Sequence, residues 1–228
     1  MWCHLAVSRE KEEMSLEQEL AAFEAEFSRT APAGRAALYE AKIEELRSDF
    51  ALERAIKLGD TAPDFALPDA AGKSVVLTDV LRSGPVVLTF YRGGWCPYCN
   101  IQLRAYQSVL PRITALGGRL VAISPQLPDN SLDTVSKNAL TFDVLSDAGN
   151  EVARSYGLVY SLPEEIRSAL RSNNKALPSI NGDESWELPV PATYVVARDR
   201  RVAFGHIEVD YRKRSEPEAL LACLRSLS

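Results

Sequence analysis

Val86-Val87-Leu88-Thr89-Phe90-Tyr91-Arg92-Gly93-Gly94-Trp95-Cys96-Pro97-Tyr98-Cys99 decides how this chain folds. Val86 to Tyr91 is an apolar, β-prone run, Gly93-Gly94 is a tight loop, and Ile101 to Leu116 has helical spacing. Strand, loop and helix in that order put two thiols in the first turn of a helix. First-turn N–H groups lack intrahelical partners, and the helix dipole adds partial positive charge there. Both favour a thiolate, so a cysteine at this place is expected below its free pKa of about 8.5. The spacing lets one sulfur attack the other and close a small ring that a partner thiol reopens. Pro97 suits the first turn, since its missing N–H would have been unpaired anyway. Position in the turn makes Cys96 the more exposed thiol and tucks Cys99 against the helix. The pair as a whole is expected to be open to reagents rather than buried.

Such a pair has other uses. It can be half of a zinc site. The remaining candidate ligands, Cys3, His4, His206 and Cys223, contain no second close pair of cysteines. It can also be a structural disulfide, a bridge that is rare inside cells. Redox chemistry is the reading that uses the helix position.

Composition bounds the rest. The chain has 228 residues, 46% hydrophobic and 25% charged. That allows one domain with an ample core, or a domain plus a helical extension. A net charge of −5 makes no electrostatic case for nucleic acid or an acidic membrane. No apolar run approaches the roughly 20 residues of a membrane span. Four cysteines do not make a disulfide scaffold. The start, MWCHLAVSREKEEMSLEQEL, has no apolar core followed by a small-residue cleavage site, so a cytoplasmic location is expected. Ser15 with Gln18 three residues on predicts a capping box, with residues 1–13 as a frayed tail or upstream start.

The chain divides near residue 57. Residues 1–57 form an N-terminal extension whose pattern is helical from Ser15 to about Lys57. Leu16, Leu20, Phe23 and Phe27 share one face, Pro32 and Gly34 break it, and Leu38, Ile43, Leu46 and Phe50 mark a second helix. This extension is expected to pack on the main domain or on a second subunit, which makes it the candidate contact of a homodimer. Over 58–228 strands alternate with helices. A hairpin turn lies at Ala70-Ala71-Gly72-Lys73, and a helix starts near Cys96, kinked by Pro111 and ended by Gly117-Gly118. Leu120 to Ser124 and Phe142 to Leu145 read as strands, Leu132 to Leu140 and Asn150 to Tyr156 as helices. Residues 160–188 read as an inserted excursion. A hairpin at 192–207 and a helix from Pro217 to Leu227, with Cys223 on its apolar side, close the chain. The pattern is α/β with parallel pairs.

Three segments carry a resemblance. They are Ala62-Pro63-Asp64-Phe65, the stretch from Phe90 to Cys99, and Pro189-Val190-Pro191-Ala192-Thr193-Tyr194-Val195-Val196. Together they resemble the peroxiredoxin-like branch of the alkyl hydroperoxide reductase/thiol-specific antioxidant (AhpC/TSA) family, over about residues 58–227. The resemblance implies a thioredoxin-like fold, a central mixed sheet flanked by helices, here with an N-terminal helical extension. Laid on ordinary peroxiredoxins, Cys99 falls on the peroxidatic cysteine and Cys96 on a threonine that helps to hold the peroxide. Laid on thioredoxin, Cys96 takes the place of the attacking cysteine. The two superpositions disagree about which sulfur strikes first. Pro191 falls where peroxiredoxins keep an arginine and thioredoxins a cis-proline, so a cis Val190–Pro191 bond against the thiols is expected. Thr89 and Phe90 stand nearest to thioredoxin's buried acid, so that proton relay is missing.

The resemblance implies a thiol peroxidase acting on H2O2 or an alkyl hydroperoxide, recycled by a thioredoxin-like donor or a small thiol and using no cofactor beyond its own sulfur. Cys99 and Cys96 carry the chemistry, with Trp95, Pro97, Tyr98, Arg92 and Pro191 in support. Arg92 and Arg104 are the candidate cations, although a loop arginine such as Arg92 commonly faces solvent. The alternatives are a disulfide oxidoreductase with Cys96 as nucleophile, and a binding scaffold with an incidental disulfide. Glu208 and Asp210 read as solvated surface carboxylates.

Overall fold

A computed structural model describes residues 14–227, so the tail expected over 1–13 lies outside the described residues. Helix α1 (Leu16–Thr30) begins at the anticipated capping box, with Ser15 and Gln18 bonded reciprocally. Helix α2 (Arg35–Asp49) follows Gly34, whose φ of 75° makes the sharp reversal between them. A short hairpin, β1 (Ala66–Pro68) with β2 (Ser74–Val76), turns through Gly72 and leads into α3 (Leu77–Leu81). Then come β3 (Val86–Phe90), α4 (Pro97–Ala115), β4 (Arg119–Ser124), α5 (Pro128–Asn138), β5 (Asp143–Ser146) and α6 (Glu151–Ser155). The excursion holds β6 (Val159–Ser161), α7 (Glu164–Arg171), α8 (Leu177–Asn181) and β7 (Glu187–Pro189). Strands β8 (Ala192–Val196) and β9 (Val202–Ile207) and helix α9 (Pro217–Ser226) close the chain.

The central sheet has the order β5-β4-β3-β8-β9. β3, β4 and β5 are parallel, and β8 and β9 are antiparallel to their neighbours. β3 is fully buried and its alternation feeds two cores. Val87 points to the side of α4 and α9, while Val86, Leu88 and Phe90 point to the side of α3 and α6. A smaller core under the excursion gathers Leu162, Ile166, Leu170, Leu177, Trp186 and Leu188. Leu16 and Leu20 of α1 enter the same core as Tyr98, Leu103 and Tyr106 of α4.

Several expectations shift. Helix α4 continues through Pro111 as one element and ends in a Schellman arrangement. The N–H of Gly118 donates to the Ile113 carbonyl at 3.0 Å, and that of Gly117 to Thr114 at 2.9 Å. Helix α5 starts at Pro128 rather than Leu132, because a proline supplies the pre-set first-turn φ. The Val190–Pro191 peptide is trans, against the expected cis bond. The chain passes straight from β7 into β8 here, with the Val190 N–H on the Leu158 carbonyl at 2.7 Å and the Pro191 carbonyl taking the Glu208 N–H at 3.2 Å. No reversal is needed at Pro191. No described helix is long and apolar enough to cross a membrane.

Candidate active site

Cys96 is the N-cap of α4, Pro97 opens its first turn, and Cys99 lies one turn in. The loop before them is glycine for steric reasons. Gly93 has φ 135°, and a Cβ on Gly94 would come 2.1 Å from Thr134 Oγ1. Side chains then pin the loop. The Gly94 N–H donates to Gln126 Oε1 at 2.6 Å, and its carbonyl accepts from Asn100 Nδ2 at 2.8 Å. Asn138 holds Asn100 in turn at 2.9 Å.

Both thiols are buried, Cys96 at 2% and Cys99 at 0% exposure, against the expectation of an open pair. The reason lies in α1 and α2, which cover the thiol face. They leave a cavity of about 240 Å³ whose wall includes Cys96 but not Cys99. The expected ranking therefore survives as access from the cavity, not from bulk water. Phe23, Phe27, Ile43 and Leu46 close the cavity from α1 and α2, and Tyr160, Leu162 and Ile166 from the excursion. An ionic clamp holds the two helices in place. Arg212 reaches Glu24 and Glu40, each at 2.6 Å, and Asp210 at 2.8 Å. Asp210 is thus a buried partner of Arg212, not a surface carboxylate.

The electrostatics separate the sulfurs. Hydrogen bonding from the Cys99 thiol holds the Cys96 pKa well below the ordinary cysteine value, against the opposing effect of burial. Arg92, Arg214 and the Cys99 backbone N–H add to it. Cys99 goes the other way. Burial raises it, and so does its pairing with Cys96, while Arg214 and Arg92 pull it down. Cys99 also lies in the first turn of α4, so helix position alone does not lower both thiols as expected.

Arg92 is buried, not solvent-facing. Its guanidinium lies 4.0 Å from the Tyr211 ring centroid and 5.0 Å from that of Trp95, and it has no carboxylate partner among the described residues. A buried cation without a carboxylate needs another counter-charge, and a Cys96 thiolate is the available one. Arg104 stands apart, exposed and bonded to Asn138 Oδ1 at 3.0 Å. Trp95, Pro97 and Tyr98 line the cavity beside Cys96, while Pro191 does not.

Sequence reasoning missed Arg214. Its Nη2 donates to Cys99 Sγ at 3.4 Å. The next residue, Ser215, accepts from the Tyr106 hydroxyl at 3.0 Å, which fixes the segment carrying Arg214. Tyr106 belongs to a buried polar cluster with Thr89, Gln102 and Thr193. That cluster includes Thr89, one of the two residues read from sequence as nearest to thioredoxin's acid. Lys175, Tyr160 and Tyr211 were missed as well, and all three line the cavity. Nothing local marks these residues, since each arrives from more than 60 positions downstream of Cys96. Among the described residues no group of three or more His, Cys, Asp or Glu side chains could hold a metal ion. Cys3 and His4 lie outside them.

A pair of cysteines at the start of a helix, on a mixed sheet with helices on both faces, defines a thioredoxin-like fold. Within that class the chain belongs to the AhpC/TSA family, matched over residues 58–204. A Mycobacterium tuberculosis protein that bears a peroxiredoxin name is 37% identical over 99 residues, 43% of this chain and 62% of that one. The chain thus spans less than two thirds of that relative. The thiol-disulfide oxidoreductase ResA of Bacillus cereus is 27% identical over 139 residues, 60% of this chain and 78% of that protein. In fold, the crystal structure of peroxidoxin BcpB from Mycobacterium tuberculosis is similar with a TM-score of 0.60 at 24% identity, covering 76% of this chain and 99% of that one.

Proposed function

We propose that this chain is a thiol-dependent peroxidase in which Cys96 attacks and Cys99 resolves. The observation that carries this reading is the position of Cys96, at the start of α4 and on the wall of a cavity that the buried Arg92 also lines. The Cys96 thiolate attacks the terminal oxygen of H2O2 or an organic hydroperoxide. The O–O bond breaks, an S–O bond forms, and the alkoxide or hydroxide that leaves takes up a proton. Arg92 stabilises the charge that moves onto that oxygen. The Cys99 sulfur then displaces hydroxide from the Cys96 sulfenic acid, and its own proton completes the water. A thioredoxin-like dithiol, or two small thiols, returns two electrons and two protons.

On this reading residues 1–57 are an extension that builds the substrate cavity for a domain over 58–228. A homodimer contact of α1 and α2 would use their outer faces, because their inner faces line the cavity. The reaction suits the cytoplasm, where reduced donors are kept available. The disulfide oxidoreductase reading has one specific support: an acidified first cysteine is also the order that thioredoxin-type exchange uses.

Stopped-flow tryptophan fluorescence separates the two. Reduced protein mixed with one equivalent of peroxide is expected to oxidise at least about 10²–10³ times faster than free cysteine, the contribution of a preorganised charge. A peroxide reaction no faster than free cysteine, with rapid reduction of insulin, would reject the peroxidase reading in favour of exchange.

A further inference from the structure

We propose that the cavity selects hydroperoxides whose organic part is apolar and carries a carboxylate, and that Lys175 is the residue that reads the carboxylate. This rests on the peroxidase reading and names the substrate class for the same site.

The cavity wall is chiefly aromatic and aliphatic, so a substrate gains by burying a ring or a branched hydrocarbon there. H2O2 gains nothing from such walls. The charged groups of the lining are few, and most are already matched. Lys42 is held by Glu45 at 2.9 Å and Glu165 at 2.7 Å. Arg92 is among the groups that lower the Cys96 pKa. Lys175 remains. It is half-buried, lines the cavity and has no carboxylate partner among the described residues. Its ammonium lies 5.8 Å from the Trp95 ring centroid, and the Arg92 guanidinium lies 5.0 Å from the same centroid. One indole thus lies near two cations, Arg92 and Lys175.

A substrate with a hydroperoxide at one end of an apolar ring and a carboxylate at the other meets both. The hydroperoxide reaches Cys96 beside Arg92, the carboxylate reaches Lys175, and the ring lies on the aromatic wall. Burial pulls Lys175 down from the ordinary lysine value and the Cys96 thiolate pulls it back up, so an anion beside it would restore its affinity for the proton.

The test uses binding without turnover, then turnover. 4-Isopropylbenzoate and the neutral 4-isopropylbenzamide have the same apolar shape. Titrated into the reduced full-length protein, read by tryptophan fluorescence and calorimetry, the benzoate is expected to bind about tenfold tighter, as a charge-assisted hydrogen bond predicts. Lys175→Gln is expected to remove that preference and Lys175→Arg to keep it. Equal affinities in the wild type, or a preference that survives Lys175→Gln, would overturn the assignment. The second arm compares cumene hydroperoxide with its 4-carboxylate, and a higher kcat/KM for the carboxylate is expected. If the benzoate preference holds but no hydroperoxide is consumed, the peroxidase reading fails and the anion site stands. If both hydroperoxides are consumed equally and neither probe is discriminated, the anion site fails and the peroxidase reading stands.

Discussion

Cys96→Ser is expected to abolish peroxide consumption, lowering the second-order rate on the order of 10⁴-fold or more, as loss of a nucleophile does. Cys99→Ser is expected to slow the first oxidation by no more than about tenfold, since a serine hydroxyl still donates to the Cys96 sulfur. It then halts, with a sulfenic acid trapped on Cys96 by a dimedone-type reagent and found by mass spectrometry. The peroxiredoxin superposition predicts the reverse, with the sulfenic acid on Cys99. The geometry argues for Cys96 because it lines the cavity while Cys99 does not. A sulfenic acid on Cys99 in the Cys96→Ser protein, formed at the wild-type rate, would reverse the assignment.

The second large effect belongs to Arg92. Arg92→Met keeps much of the side-chain volume against Tyr211 and Trp95 but removes the charge. Oxidation by peroxide is expected to fall about 10²–10³-fold, the usual cost of one preorganised charge-stabilising group. The Cys96 pKa is expected to rise toward the ordinary value, because the guanidinium is one of the groups holding it down. Stability should stay level, because the lost attraction to the Cys96 thiolate is offset by removing a buried guanidinium whose Nε has no hydrogen-bond partner. A melting temperature equal to or above the wild type, with activity lost, marks a functional charge. A parallel fall in both would instead make Arg92 a structural residue.

What the sequence made legible was local. The β3–loop–α4 unit could be read because alternation, paired glycines, proline and helical spacing each point the same way over a few residues. The Ser15 capping box and the Gly117-Gly118 stop follow from backbone chemistry in the same manner. What stayed hidden was the meeting of distant segments. Arg214 reaches Cys99 because Tyr106 ties down Ser215, a contact spanning 109 positions. Nothing distinguishes Arg214 from its neighbours Arg212 and Lys213 in sequence, yet Arg212 clamps α1 and α2 while Arg214 meets a thiol. The amphipathic pattern of α1 and α2 announced a packed face without saying that the face covers the dithiol. The aromatic cavity beside Cys96 follows from that docking together with the excursion, which supplies Tyr160, Leu162 and Ile166. The trans peptide before Pro191 shows the limit of carrying a feature over from thioredoxin, since β7 and β8 run on through that point without a turn.

The central claim is that Cys96 stands as a thiolate at neutral pH while Cys99 remains a thiol. Iodoacetamide alkylation of the reduced protein, followed from pH 4 to 9 with each cysteine read by peptide mass spectrometry, tests it most directly. Thiolate fraction grows as pH rises through the pKa, so a depressed value moves the inflection to lower pH. The expected result is fast labelling of Cys96 with an inflection well below about 8.5, and labelling of Cys99 only at the alkaline end. An inflection for Cys96 at or above the free-cysteine value, or labelling of Cys99 first, would contradict the account.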